Sequence, residues 1–385
     1  MSFEDFLHVK STNMAAEKSR EILSSNTLNA VREEYKRYKR RSKAPDFGDV
    51  IDFENPSTFS GRAVEVDVSN MPNEPLNCHS FGLVSPTNWK AFEVVSCPGF
   101  MFIINPFKKG FQHYMVQRLL KDFPRKPNAT NLVVHKDIVL QDDESFWDYC
   151  MKSTRPDDIN KLRWTHLGYQ FDYNKEEYKS DAYFGFPQDL ACLVTYIAAT
   201  LGFHDYQPQS GVVNYYPLGS SMGGHVDRYE NDLSQPLISI SFGQSAIYLI
   251  GGKTCDIRPT ALFVKSGDVI VMSGDSRLSY HAVPRIIKVG RVNEPPDCLK
   301  WVENANGSKM PLLKLLNEKS DKINNRCSVC KNYFDSRDVL KRLDSFSKNA
   351  EQWAPFASYC SRTRVNINVR QVHLASENIK LRFIS

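Results

Sequence analysis

His225 and Asp227 stand two positions apart, directly after the glycine-rich run SSMGG. On a β-strand, residues i and i+2 project from the same face, so this imidazole and this carboxylate could hold one ion. The triplet alone is weak evidence, because H-x-D arises by chance in many chains of this length. His281, in a second predicted strand, supplies another imidazole, or else is a hydrogen-bonded core histidine. Two histidines and one carboxylate on barrel strands form the facial triad that binds Fe(II) and leaves coordination positions open.

Polar and β-branched residues alternate throughout RVNINVR, residues 364–370. On a strand the two kinds of residue take opposite faces. The polar face carries Arg364, Asn366, Asn368 and Arg370. Two arginines facing a barrel interior are costly unless they are paired, so they indicate a buried anion, and a guanidinium matches a carboxylate geometrically. The alternative is an edge strand with a solvated face. Asn214 and Tyr216 are neutral hydrogen-bonding groups, again two positions apart, that suit the same anion.

The elements that must position these residues are mainly short strands. From residue 211 to 287, β-branched or aromatic runs are separated by Gly, Pro, Ser and Asp turns, and a last run contains RVNINVR. Closely spaced strands of this kind predict an antiparallel sandwich or jelly-roll barrel. The apolar run FEVVSCPGFMFIINPF (92–107) opens the globular body, and helices are expected over 111–122 and 187–202.

Composition divides the chain into five parts. They are a basic helical N-terminal extension over 1–60, a linker over 61–95, a β-rich domain over 92–287 and 363–375, a polar and mostly helical insertion over 288–362, and a C-terminal tail over 376–385. The extension holds one predicted helix, over 17–43, that ends in VREEYKRYKRRSK. Its basic side chains suit phosphate contact, and the alternative is an ordinary solvated helix face.

The overall composition is that of a globular intracellular protein. With 385 residues, 41% hydrophobic and 12% aromatic residues, the chain is neither collagenous nor disordered. No apolar run approaches the roughly 20 residues that cross a bilayer, and the start MSFEDFLHVK lacks a secretion signal pattern. Nine cysteines, an odd number, indicate reduced thiols. The net charge of +5 permits a polyanionic partner without demanding one.

One cysteine pair, Cys327 and Cys330, has the C-x-x-C spacing of metal sites. A structural zinc site needs four ligands, so Cys298, Cys360 or a histidine would have to join the pair. We interpret the pair as free thiols and keep metal binding as the alternative.

Four motifs occur together in a recognisable order: NYY (214–216), HVD (225–227), SGDSRLSYH (273–281) and RVNINVR (364–370). The combination resembles the AlkB family of Fe(II)- and 2-oxoglutarate-dependent dioxygenases over most of 90–375. The resemblance implies an α+β fold with a mainly β core, in which a double-stranded β-helix, or jelly roll, carries flanking helices and a nucleotide-recognition lid. It also implies oxidative removal or hydroxylation of a methyl group on a nucleobase, with O2 as the third reactant.

The resemblance also implies roles for individual residues. Iron is bound by His225, Asp227 and His281. The 2-oxoglutarate contacts are Asn214, Tyr216, Arg364, Asn366, Asn368 and Arg370. Asn368 departs from the family motif R-x-N-x-T-x-R, which has threonine there, but asparagine stays polar and inward-facing. The target base is held by Tyr169, Gln170, Phe171 and Trp147, with Trp164 as an alternative to Trp147. These aromatic side chains could instead simply pack a lid against the barrel.

The implied partner is nucleic acid. The resemblance favours tRNA carrying N1-methyladenosine or C5-methylcytidine, with N6-methyladenine in single-stranded or unpaired DNA as a competing substrate. We expect a monomer without membrane association, in the nucleus, cytoplasm or mitochondrion. A histone or other protein demethylase or hydroxylase on the same iron site is an alternative. A non-catalytic nucleic-acid-binding module is another, although a pure binder needs neither the metal ligands nor the buried arginines.

Overall fold

The structure, a computed structural model, describes residues 29–40, 45–69, 82–134, 138–152, 156–172, 175–291, 293–300 and 350–374, with residues 377 and 383–384. The helices are α1 Ala30–Lys39, α2 Phe111–Gln117, α3 Asn131–Val134, α4 Phe146–Lys152, α5 Gln188–Thr200 and α6 Ala350–Cys360. The strands are β1 Ala63–Val66, β2 Lys90–Val94, β3 Phe100–Ile104, β4 Trp164–Asp172, β5 Glu177–Tyr183, β6 Phe186–Pro187, β7 Ser210–Pro217, β8 Met222–His225, β9 Leu237–Gly243, β10 Ser245–Ile250, β11 Thr260–Val264, β12 Val269–Met272, β13 His281–Ile287, β14 Thr363–Arg370 and β15 Phe383–Ile384. No helix among these residues is long and apolar enough to cross a membrane.

Two antiparallel sheets form the centre of the fold. The larger has nine strands in the order β1-β2-β3-β12-β9-β14-β7-β4-β5, and the smaller has four in the order β11-β10-β13-β8. A hydrophobic cluster lies between them, with Phe102 and Ile270 from the large sheet and Tyr248 and Leu262 from the small one. From β7 to β14 the chain crosses repeatedly between the sheets, with β7, β9, β12 and β14 in the large sheet and β8, β10, β11 and β13 in the small one, as in a jelly roll. The predicted α+β jelly roll with flanking helices is confirmed.

Helices cover the outer face of the large sheet. Val365, Ile367 and Val369 of β14 are fully buried there, in one cluster with side chains of α2, α5 and α6. The expected helix over 111–122 is α2, continued by the π-helical turn Arg118–Asp122, and the one over 187–202 is α5. The β-branched face of RVNINVR therefore packs as its alternation predicts, which directs the polar face towards the small sheet.

The N-terminal helix is part of the domain, in contrast to the appended extension expected over 1–60. Within the expected range 17–43, the described helix is α1, and it packs on β13 and β8. Tyr38 is fully buried in one cluster with Ile247, Leu249 and Ala282. Spacing of three or four residues between Val31, Tyr35 and Tyr38 gives α1 an apolar stripe, which its basic residues obscure in the sequence.

The other expected divisions differ from the structure in detail. Strands β1 and β2 pair with each other and extend the large sheet, inside the expected linker over 61–95. Within the polar segment over 288–362, the structure shows the short 3₁₀ turn Asp297–Leu299 and helix α6; 301–349, including Cys327 and Cys330, lie outside the described residues. In the expected tail, β15 pairs in parallel with β6. Strands of only two to five residues carry too little periodicity to be recognised in the sequence.

Candidate active site

Strand pairing brings the three predicted metal ligands together. His281, the first residue of β13, lies directly opposite His225, the last residue of β8. Asp227 follows two positions later, and its Oδ2 lies 3.7 Å from His281 Nε2. One candidate ligand atom from each of the three side chains lies within 4.8 Å of the other two. That spacing suits one shared ion, with ligands from two strands and the loop after β8.

Backbone carbonyls orient both imidazoles. Nδ1 of His225 lies 2.9 Å from the carbonyl oxygen of Gly223, and Nδ1 of His281 lies 3.2 Å from that of Ser279. Because a carbonyl oxygen only accepts hydrogen bonds, each Nδ1 carries the proton. The lone pair of each Nε2 is then left for a metal, which is the usual outer-shell arrangement of metal-binding histidines.

The electrostatics of the site hold His281 and Asp227 in their metal-binding forms. Burial and, to a smaller extent, the neighbouring His225 lower the pKa of His281 to about 4, so His281 is neutral at pH 7. Burial raises the pKa of Asp227, but the positive charge of Arg370 outweighs burial and, with the neighbouring histidines when they are protonated, holds that pKa below its usual range. A neutral imidazole and an ionised carboxylate are the protonation states that coordinate a metal.

The predicted anion-binding residues lie on the inner face of the large sheet, where they form what we call the anion row: Asn214, Tyr216, Arg364, Asn366, Asn368 and Arg370. Across β7 and β14, Tyr216 lies opposite Arg364 and Asn214 opposite Asn366. Residues opposite each other in an antiparallel pair share a face. Val212, Asn214 and Asn368 are partly exposed although their strands lie inside the nine-stranded sheet, so an opening to solvent reaches this row.

Arg364 has the hydrogen-bonding capacity of an anion site. It is 1% exposed, and its Nη2 donates to Ser241 Oγ at 2.9 Å. Its guanidinium carbon lies 5.3 Å from the centre of the Tyr216 ring. Its Nε and Nη1 are buried and make no hydrogen bond to the described residues. A buried cation with unused donors fits a carboxylate that completes its hydrogen bonds.

The other members of the row differ in how firmly they are held. Asn366 donates from Nδ2 to Ser239 Oγ at 2.8 Å and to the carbonyl oxygen of Ile240 at 3.0 Å. Arg370 pairs with Glu230, Nη1 to Oε1 at 2.9 Å, and its Nη2 lies 3.5 Å from Asp227 Oδ2. Arg370 therefore forms the end of the row that is next to the metal ligands.

The residues expected to hold a base do not all come together. Phe171 of β4 is half-buried, with its ring 5.4 Å from that of Tyr229, two positions after Asp227. Tyr169 is 5% exposed, and its ring lies 4.7 Å from both Tyr183 and His373. Gln170 is buried and donates from Nε2 to the carbonyl oxygen of Gly168 at 2.9 Å. Phe171 is thus the member of the triplet that contacts the loop carrying Asp227.

The two candidate tryptophans occupy different places. Trp147 of α4 is 4% exposed and stacks on Phe356 of α6, with 4.3 Å between ring centroids. That contact belongs to the outer hydrophobic cluster, which explains Trp147 as core packing. Trp164 pairs instead with Asn214, so it lies on the face that carries the anion row.

Sequence reasoning missed three further residues at the site. Arg277, Glu230 and Tyr178 form a buried network with Arg370 and the Asp227 backbone. Arg277 lies within SGDSRLSYH and Glu230 three positions after Asp227, so both had a positional signal.

A jelly roll with two histidines, one aspartate and a buried arginine row at one point defines the class of iron-dependent oxygenases. The sequence profile of the 2OG-Fe(II) oxygenase superfamily matches residues 116–370. Nucleic acid dioxygenase ALKBH1 of Mus musculus is 35% identical over 364 residues, covering 90% of this chain and 84% of that protein. tRNA demethylase abh1 of Schizosaccharomyces pombe is 31% identical over 278 residues, covering 67% and 85%. DNA N(6)-methyladenine demethylase ALKBH1A of Arabidopsis thaliana is 30% identical over 292 residues, covering 66% and 80%.

The chain therefore belongs to the AlkB family of 2OG-Fe(II) oxygenases. The mouse and human proteins named nucleic acid dioxygenase ALKBH1 are 35% and 34% identical to this chain, each over 90% of its length, so the chain is similar to AlkB homologue 1. Membership implies the use of Fe(II), 2-oxoglutarate and O2.

Proposed function

We propose that this protein oxidises methyl groups on nucleobases, with tRNA as its leading substrate. The observation that carries the proposal is a three-ligand cluster in which Asp227 lies 3.5 Å from Arg370, which is on the same strand as the buried Arg364 with its unused hydrogen-bond donors. The three-ligand cluster suits a metal and Arg364 suits a carboxylate. Together they suit a metal ion with a small dicarboxylic acid bound beside it.

His225, Asp227 and His281 would hold Fe(II) in this proposal. When bound, iron with 2-oxoglutarate and O2 supplies the oxidant that hydroxylates a methyl group, while 2-oxoglutarate is converted to succinate and CO2. A hydroxymethyl group on nitrogen then leaves as formaldehyde, whereas one on carbon remains attached. The protein residues supply ligands, orientation and a site shielded from water.

The inner face of the large sheet would hold the cosubstrate. Arg370 pairs with a metal ligand, so it serves the metal end of the row, and Arg364 with Tyr216 serves the other end. Asn214, Asn366 and Asn368 supply neutral hydrogen-bonding groups between them. This assignment uses each polar residue that the alternation in RVNINVR directs inward.

Aromatic side chains beside the metal ligands support a nucleobase as the substrate. Phe171 and Tyr229 are half-buried neighbours, and the Arg228 guanidinium carbon lies 5.8 Å from the Tyr229 ring centre. Bases stack on such rings, at about 1–3 kcal/mol per base. We propose that Phe171 and Tyr229 contact the base, with Trp164 next to the cosubstrate. The fission yeast relative is named a tRNA demethylase and the mouse relative a nucleic acid dioxygenase, and these names support tRNA as the leading candidate.

The proposed bases in tRNA are N1-methyladenosine and C5-methylcytidine. N6-methyladenine in unpaired DNA is the competing substrate, since the Arabidopsis relative is named for it. These substrates are consistent with action in the nucleus, the cytoplasm or the mitochondrion.

The test measures succinate formation with Fe(II) under air, on methylated tRNA, methylated DNA and methylated histone peptide. We expect turnover with nucleic acid that falls steeply with salt, because phosphate contacts release counterions. Turnover confined to the histone peptide would overturn the substrate proposal and favour the protein demethylase. Absence of succinate with every substrate, and of any Fe(II) binding, would favour the non-catalytic module.

A further inference from the structure

Glu230 is a deeply buried carboxylate beside the proposed active site. Its side chain is 1% exposed, and it lies in the loop after β8, three positions after Asp227. It is neither a member of the metal-ligand cluster nor part of the inner row on β14. A buried carboxylate is costly unless it is paired, so its partners define what it does.

The partners of Glu230 come from three other segments of the chain. Oε1 accepts hydrogen bonds from Arg370 Nη1 of β14 at 2.9 Å and from the Tyr178 hydroxyl of β5 at 3.1 Å. Oε2 lies 2.9 Å from Nη2 of Arg277, in the 3₁₀ turn Gly274–Leu278 that precedes β13. Glu230 therefore joins the loop that carries Asp227 to three other elements: strand β14, the 3₁₀ turn before His281 and strand β5.

Both arginines reach from Glu230 to Asp227. Arg277 Nη1 donates to the Asp227 carbonyl oxygen at 2.8 Å, which fixes the backbone that carries the carboxylate. Arg370 Nη2 lies 3.5 Å from Asp227 Oδ2, longer than its 2.9 Å contact with Glu230. Glu230 therefore holds the Arg370 guanidinium more closely than Asp227 does, and the contact between Arg370 and Asp227 is the weaker of the two.

We propose that Glu230 is a positioning residue that holds Arg370 for 2-oxoglutarate while keeping it from neutralising Asp227. This inference rests on the proposed function of the site. Loss of the Glu230 charge leaves Asp227 as the nearest anion for Arg370. The guanidinium then moves onto Asp227, which weakens metal binding and removes a cosubstrate contact together.

The test variant is Glu230→Gln, which keeps the size of the side chain and removes its charge. The matched control is Asp189→Asn, because Asp189 is also a buried carboxylate that binds one arginine, Arg118, and one tyrosine, Tyr114. That cluster joins α2 to α5, on the outer side of the large sheet. A loss that follows only from disturbing a buried ion pair will appear in both variants.

Titration calorimetry on the full chain gives two dissociation constants, one for Mn(II) and one for 2-oxoglutarate on the Mn(II)-loaded protein. We expect Glu230→Gln to weaken both by about ten-fold or more, the range for outer-shell partners of metal ligands. We expect Asp189→Asn to stay within about two-fold, as for an independent site. With Fe(II), KM for 2-oxoglutarate should rise more than kcat falls.

Two results would overturn the inference. One is a folded Glu230→Gln protein with both wild-type dissociation constants, and the other is an equal loss in Glu230→Gln and Asp189→Asn. If Glu230→Gln does not fold, Tyr178→Phe decides, because it removes one donor from the same oxygen. Weaker 2-oxoglutarate binding in Tyr178→Phe supports the inference, and wild-type binding overturns it. Failure of the wild-type protein to bind either ligand would instead refute the proposed function itself, and this inference with it.

Discussion

The ring of His281 lies 4.3 Å, centroid to centroid, from the ring of His225 across the β8–β13 pair. The two histidines are 56 positions apart in sequence, so only this pairing brings them to one ion. Strand β8 has four residues, and α1 packs against it. The metal site therefore depends on a short strand supported by the N-terminal helix.

Gly224→Ala tests whether the packing of α1 against β8 supports the metal site. A Cβ on Gly224, next to His225, would lie 2.7 Å from Val31 Cγ1 of α1, closer than carbon atoms pack. We expect a loss of about 1–3 kcal/mol in unfolding free energy, the usual cost of overpacking, together with weaker Mn(II) binding. Urea denaturation and Mn(II) titration check this. Val31→Ala in the same chain should restore part of both losses, and strict additivity of the two substitutions would contradict the contact.

Arg364→Met is predicted to weaken 2-oxoglutarate binding without destabilising the unliganded protein. Loss of charge-assisted hydrogen bonds worth about 1.5–3 kcal/mol should weaken 2-oxoglutarate binding by roughly 10- to 100-fold. The unliganded protein should melt at the same or a higher temperature, because a buried cation with two unused donors is removed. Calorimetry and thermal denaturation measure the two effects, with the exposed Arg125→Met as control. Wild-type affinity in Arg364→Met would refute its assigned role.

Substitution of Phe171 is predicted to affect substrate binding, whereas substitution of Trp147 is predicted to affect stability. Phe171→Ala should raise KM for methylated tRNA by the loss of about 1–3 kcal/mol of stacking and leave 2-oxoglutarate affinity unchanged. Trp147→Leu should lose several kcal/mol of stability, because it leaves a cavity against Phe356, with no change in KM. Steady-state kinetics and urea denaturation distinguish the two. A raised KM in Trp147→Leu alone would restore Trp147 as the base contact.

Acid should destabilise the protein through its buried histidines. Burial lowers the pKa of His113 to about 4, whereas an unfolded histidine takes up its proton near pH 6.5. Between pH 4 and pH 6.5 His113 is protonated in the unfolded state but not in the folded one. Its contribution to the free energy of unfolding is therefore fully present above pH 6.5 and is lost as the pH falls towards 4. His113→Phe should reduce that loss by roughly 2–3 kcal/mol. Urea denaturation at several pH values checks this, and an effect equal to that of the exposed His204→Phe would contradict it.

Local patterns in the sequence predicted the parts of the site that strand geometry alone determines. Strict alternation in 364–370 placed Arg364 and Asn366 on one face and Val365 on the other, because a strand has a period of two. Residue types and family resemblance predicted that His225 and His281 bind the same ion, whereas the strand pairing that sets them opposite each other depends on tertiary contacts. The jelly roll itself followed from the spacing of turns.

Long-range contacts account for what the sequence did not predict. Glu230 and Arg277 lie 47 positions apart, and no local pattern shows that they form an ion pair. Helix α1 has so many basic residues that its apolar stripe of Val31, Tyr35 and Tyr38 was not recognised as a docking face. Trp147 was assigned by loose similarity, whereas its partner Phe356 is 209 positions away.

A crystal structure of the protein grown with Mn(II) and 2-oxoglutarate tests the central claim most directly. We predict one ion bound to His225, Asp227 and His281, with the dicarboxylate reaching from that ion to the Nε and Nη1 atoms of Arg364. An ion held by other residues, or a dicarboxylate away from Arg364 and Arg370, would contradict the account.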